Sequence, residues 1–166
     1  AVVENVYARL MLYFSDPAIR HMEPVAAMEH IVRSVHRTFL AHPEVIPLLN
    51  SENLHKARHT SRSARIREMY NPLLETIRDL LERGQAEGVF RRDADPVHLY
   101  ISISALGYFY LSNRHTLSFI FATDLSTEAR LAERHQHIID VILGYLRYEG
   151  PDVRLRPESL LRLQEP

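Results

Sequence analysis

Residues 95–111 read Asp95-Pro96-Val97-His98-Leu99-Tyr100-Ile101-Ser102-Ile103-Ser104-Ala105-Leu106-Gly107-Tyr108-Phe109-Tyr110-Leu111. Asp95 is a good N-cap and Pro96 suits the first helical position, so a helix starts here. Stepped at helical period it carries two apolar faces. Leu99, Ile103, Leu106 and Tyr110 form one, and Ile101, Ala105, Tyr108 and Phe109 form the other, roughly opposite. A surface helix needs a single apolar stripe, so a helix apolar nearly all round is buried on both sides. In a small domain one side can face the core and the other a partner subunit.

The surrounding pattern is helical as well. The chain has 166 residues, which suits one domain with a sizeable core. No segment sustains period-two alternation, and the five glycines are too few for a turn-rich β fold. Residues 1–14 repeat apolar side chains at helical spacing and stop at Ser15-Asp16-Pro17. The 24–41 segment places Met28, Ile31, Val32, Val35 and Phe39 on one arc, with His36 at its edge. A short helix is expected over 44–49 and a polar, basic stretch over 50–63. The 64–84 segment has a wide apolar stripe with Pro72 inside it, expected to kink or restart the helix. Asn113 and Arg114 are expected to bend the 96–112 helix, and Ser126 to cap the next, 127–147. That last helix is apolar over half its circumference, again too wide for one contact. The polar tail, 148–166, holds Leu160, Leu161 and Leu163 in one expected turn. The fold class expected is therefore all-α, and two helices from each of two subunits could pair as an intermolecular four-helix bundle.

Composition excludes more than it identifies. The net charge of −1 creates no global field favouring nucleic acid or an anionic membrane. The absence of cysteine removes disulfides, thiolate catalysis and cysteine-ligated metal, and fits a cytoplasmic protein. No apolar run approaches the ~18–20 residues that span a bilayer. His55 and His59 share metal-like spacing but sit among Lys56, Arg58 and Arg62, whose charges oppose a cation, so no metal is expected. His135 and His137 point to different sides of a helix. No nucleophile elbow, phosphate loop or carboxylate pair frames the Ser, His and Asp residues, so neither an enzyme nor a cofactor is expected. The hydroxyls of Ser102 and Ser104 are expected to bond backbone carbonyls four residues back. The basic stretch from Lys56 to Arg67 lacks interleaved aromatics and reads as a solvated face. Tyr7, Met11, Met28, His36, Met69, Tyr70, Tyr100 and Tyr110 spread over four helices; they either line an adaptable small-molecule pocket or fill a core.

The order of pieces adds an identification. The run Glu-Arg-Gly-Gln-Ala-Glu-Gly-Val-Phe-Arg (82–91), then Asp95 to Tyr108, then a last helix ending Val-Ile-Leu-Gly-Tyr-Leu-Arg (141–147), resembles the C-terminal regulatory domain of TetR-family transcriptional repressors. The resemblance covers residues 1–147. It implies a ligand-sensing, dimerising domain whose pocket takes a small apolar or aromatic effector. The residues expected to line it are Tyr7, Met11, Met28, Val32, His36, Met69, Leu73, Tyr100, Ile103, Ser104 and Gly107. It also implies a homodimer, with Ile101, Ala105, Tyr108 and Phe109 of one helix and Ile138, Val141, Ile142 and Tyr145 of the next at the interface. The family's N-terminal helix-turn-helix is expected to be missing upstream, residue 1 falling within the connecting helix, so operator DNA would be read only through that part. The competing expectation is a stand-alone helical interaction module with a plain core.

Overall fold

The computed structural model describes residue 8 and residues 16–147 except His59. Apart from residue 8, the expected helix over 1–14, with Tyr7 and Met11, and the tail 148–166 lie outside the described residues. Within them the chain forms five α-helices and no strand, with 3-10 turns at Pro17–His21 and Thr60–Arg62. We number the helices α1 (Pro24–Ala41), α2 (Val45–Leu54), α3 (Ala64–Ala86), α4 (Pro96–Ile120) and α5 (Glu128–Arg147). The all-α expectation is met.

Local chemistry accounts for the boundaries. Pro24 and Pro96 occupy first-turn positions, where a missing N–H costs nothing. The Asp95 carboxylate accepts from His98 N at 2.8 Å, and Ser63 Oγ accepts from Ile66 N at 3.4 Å. α5 is capped by Thr127 rather than by Ser126: Thr127 Oγ1 accepts from Arg130 N at 3.4 Å and its carbonyl from Leu131 N at 3.0 Å. α3 runs unbroken through Pro72, so that residue does not restart the helix. α4 likewise continues through Asn113 and Arg114 to Ile120, and Asn113 Nδ2 donates to the Phe109 carbonyl at 2.9 Å instead of ending the helix. α2 extends five residues beyond the expected 44–49, to Leu54.

α4 packs against each of the other four helices, and α1 packs against α3, α4 and α5. Their contact is the centre of the core. α1 contributes Ala27, Met28, Ile31, Val32, Val35 and Phe39, and α4 contributes Leu99, Ile103, Gly107 and Leu111. Ile77, Leu80 and Leu81 of α3 and Ile138, Ile139, Ile142 and Leu146 of α5 close the same buried cluster. The connections are tied down by polar contacts. Arg83 donates to the carbonyls of Arg20 at 3.1 Å and of Met22, holding the first 3-10 turn to α3. The buried Glu52 carboxylate accepts from the Thr60 N–H at 2.9 Å and hydroxyl at 2.8 Å. It thereby closes the α2–α3 turn, in which Lys56 and Ala57 take φ of 54° and 56°. Arg91 N donates to Leu146 O at 2.7 Å and joins the α3–α4 turn to the end of α5.

Gly84 shows how tightly that turn closes. A Cβ there would lie 2.0 Å from Phe90 Cδ2, and Phe90 is itself 3% exposed. Gly84→Ala gains helix propensity of about 1 kcal/mol but drives the buried ring from its seat. The expected net result is a loss of about 1–2 kcal/mol in urea unfolding. An unchanged or raised midpoint would show that Phe90 relocates without cost.

Candidate functional site

The polar chemistry inside the bundle gathers where α1, α4 and α5 meet. On α1, His36 is 2% exposed. Its Nδ1 lies 2.8 Å from His135 Nδ1 on α5, with the two rings stacked at a centroid separation of 5.0 Å. Arg33 Nη1, one turn before His36, reaches His135 Nε2 at 3.2 Å. Arg134, beside His135, donates from Nη2 to the Leu106 carbonyl at 2.7 Å and stands over the Tyr110 ring at 5.5 Å. Tyr110 is fixed by its hydroxyl, which donates to Leu125 O at 2.9 Å.

Three buried polar atoms there have no hydrogen-bond partner among the described residues: His36 Nε2, Ser104 Oγ and Arg134 Nε. Ser104 therefore departs from the expectation that its hydroxyl bonds a carbonyl four residues back. Gly107, one turn along α4, lies against the imidazole. A Cβ built there would stand 3.5 Å from His36 Cδ2 and 3.8 Å from Phe39 Cδ2, so packing does not require a glycine.

Of the expected pocket residues, Met28, Val32, His36, Leu73, Ile103 and Gly107 are buried, and Met69, Tyr100 and Ser104 are half-buried. Tyr100 and Tyr70 form a second polar contact in the apolar wall, their hydroxyl oxygens 3.4 Å apart and their rings edge to face at 5.8 Å. The sequence reading missed His135 and Arg134. They are 99 and 98 positions from His36, and no periodicity links them to it.

The eight residues expected at a partner interface separate into two groups. Ile101, Ala105 and Phe109 of α4 and Val141 and Tyr145 of α5 are exposed; Ile101 and Phe109 keep 53% and 58% of their surface. A groove of about 330 Å³ runs between the two helices here, lined by His98, Leu99, Ser102, Val141, Ile142 and Tyr145. Ile138 and Ile142, by contrast, are 1% and 2% exposed within the single chain, so they belong to the core. Tyr108 also turns inward, its ring 6.0 Å from Phe39 and its hydroxyl donating to Asn50 Oδ1. Ile138 and Ile142 thus offer little surface to a partner, while Tyr108 is half-buried.

Elsewhere Lys56, Arg58, Arg62 and Arg65 are exposed, as a solvated basic face requires. His55 Nδ1 pairs with the Ser51 carbonyl at 2.8 Å, and His59 lies outside the described residues. Among the described residues no cluster of His, Cys, Asp and Glu could hold a metal, and no helix is long and apolar enough to cross a membrane.

Burial, then the neighbouring His135 and Arg134, lowers the His36 pKa from 6.5 to about 4, and burial lowers that of His135 as well. Below pH 6.5 the unfolded chain takes up a proton on this histidine that the folded chain refuses. Stability thus falls as pH drops from about 6.5 to about 4 and levels off below, where both states are protonated. Chemical unfolding across this window should show a loss on the order of 2–3 kcal/mol that His36→Leu removes. The same slope in the variant would exclude His36 as its source.

Comparison with known proteins agrees with this architecture. The family model described as "Tetracyclin repressor-like, C-terminal domain" matches residues 24–142, from the first residue of α1 well into α5. The chain is 34% identical over 147 residues to the HTH-type transcriptional repressor NicS of Pseudomonas putida, an alignment that spans 89% of this chain and 69% of that protein. Proteins of this type are regulators rather than enzymes. The helical bundle built on α1 and α4 is thus a TetR-type regulatory domain, and the chain belongs to the TetR family of transcriptional repressors.

Proposed function

We propose that residues 1–147 sense a small apolar or aromatic effector and dimerise, passing the effector's binding to a helix-turn-helix part of the whole protein that holds operator DNA in the cytoplasm. The observation that carries this reading is that α4 is buried on one side and apolar but exposed on the other. Its inner side meets the core, with Gly107 against His36 and the buried Ser104 hydroxyl one turn earlier. Its outer side leaves Ile101, Ala105 and Phe109 bare next to Val141 and Tyr145. Large apolar side chains grouped on one exposed face mark an interaction surface. A C2 arrangement would bring α4 and α5 of two copies together as a four-helix bundle. The effector then acts by population shift. A few kcal/mol of differential affinity between two orientations of the DNA-reading heads suffices to change their spacing and release the operator.

Sedimentation tests the dimer. The chain should run at twice its own mass at micromolar concentration. Phe109→Asp and Ile101→Asp should each weaken the dimer about a hundredfold or more, because each leaves a carboxylate in an apolar seam. Both positions are exposed in the single chain, so helical circular dichroism should stay unchanged. A monomeric parent chain, or variants that dimerise as well as the parent, would remove this face from the reading.

A further inference from the structure

The buried polar atoms between α1, α4 and α5 share one property: each can donate a hydrogen bond. A guanidinium only donates, so the contact of Arg33 Nη1 with His135 Nε2 makes that nitrogen an acceptor. A neutral His135 then carries its proton on Nδ1, and at 2.8 Å it donates to His36 Nδ1. His36 in turn carries its proton on Nε2, the buried atom without a partner. The exposed arginine thus fixes the tautomer of the buried histidine through one intermediary. Arg134 Nε, also a donor only, and the Ser104 hydroxyl complete the set.

All three groups lie within one turn of α4. Gly107 abuts the Cδ2 edge of His36, Ser104 is three residues earlier on the same helix, and Arg134 is tied to the carbonyl of Leu106. The charged groups acting on the two histidines are Arg134, Arg33 and Arg37, of which Arg33 is paired with Glu29 at 3.7 Å. Unused donors in a cationic, water-poor setting favour an anionic acceptor. Gly107 leaves room against the imidazole that an alanine methyl would take without a clash.

We propose that the effector is a carboxylate, its oxygens accepting from His36 Nε2–H, Ser104 Oγ–H and Arg134 Nε–H, with its apolar body among the neighbouring core side chains. This rests on the sensing role proposed above and names the ligand class for it. The Arg33–His135–His36 chain positions the Nε2 donor; Ser104 and Arg134 bind directly.

Thermal unfolding of the whole chain at neutral pH, followed by tyrosine fluorescence, tests the proposal. The probes are hexanoate and benzoate, their neutral counterparts hexanamide and benzamide, and sulfate. The two carboxylates should raise Tm, and the amides and sulfate should not. Ser104→Ala breaks no hydrogen bond in the free protein and removes a buried hydroxyl without a partner, so its Tm without probe should equal or exceed the parent's, while its carboxylate affinity drops about tenfold or more. His36→Gln keeps an N–H near the Nε2 position and should retain binding; His36→Leu should lose it. Amides that raise Tm as much as the carboxylates would overturn the carboxylate assignment and leave small-molecule sensing standing. Equal shifts with sulfate would overturn it as a general anion effect. If no probe shifts Tm at millimolar concentration, both the assignment and the sensing role lose their support, whereas the dimer is judged separately by sedimentation.

Discussion

The structure depends on the row Leu99, Ile103, Gly107 and Leu111, buried at strict four-residue spacing along α4. Residues four apart form a ridge inclined to the helix axis, so the row sweeps round the helix as it climbs. Burial of one such row against a single neighbour would be lost after a few turns. Here the neighbours change with height, and α4 can stay buried because α1, α2, α3 and α5 all pack on it. The one glycine in the row lies against the His36 and Phe39 side chains of α1 with space there for a methyl group. The same geometry fixes what remains outside. Ile101, Ala105 and Phe109 form a second four-residue row on the same helix, and among the described residues no helix covers it.

Against that apolar frame the junction of α1, α4 and α5 is costly. Each buried polar atom without a partner costs about 1–3 kcal/mol, and a domain of this size is stable by only about 5–15 kcal/mol in all. Three of them in one place represent a sizeable fraction of that margin. A bundle that served only as a scaffold would gain by placing alanine at Ser104 and an apolar residue at His36. Retained polarity of this kind is intelligible when something else satisfies it.

The sequence made the fold legible wherever burial follows one helical period. Asp95-Pro96 announces the start of α4, and the two-faced wheel correctly separates Leu99 and Ile103 from Ile101, Ala105 and Phe109. The wheel fails where two residues straddle its boundary. Gly107 and Leu111 are buried in place of Leu106 and Tyr110, which are half-buried, because an inclined ridge favours i+4 over i+3. Tyr108 looks outward on the wheel but is long enough to reach Asn50 with its hydroxyl. Ile138 and Ile142 shared an apolar half-circle with Val141 and Tyr145, and only the position of α1 decides which of them face inward. Local breakers need not end a helix. Pro72 and Asn113 are poor interior residues in isolation, but packing on both sides of them holds α3 and α4 continuous. The polar junction was half legible. His36, Ser104 and Gly107 stood out as polar or small positions on apolar arcs, but the residues that give His36 its tautomer and its charge environment come from α5 and from the preceding turn of α1.

The two proposed activities, sensing and dimerisation, use the same pair of helices. α4 carries Ser104 and Gly107 inward and Ile101 and Phe109 outward. α5 carries Arg134 and His135 near its middle and Val141 and Tyr145 toward its end. Packed helices are stiff and cannot deform locally to take up a strain. A ligand that draws Arg134 toward α4 must therefore move the whole of α5 relative to α4, and the groove of about 330 Å³ between Ser102 and Tyr145 is where that movement would be felt. Linkage then runs in both directions: a partner copy seated on the outer face would constrain the α4–α5 angle and so alter the affinity of the inner site by the same factor. The coupling needs no chain of relayed side chains, because one rigid helix pair is common to both surfaces.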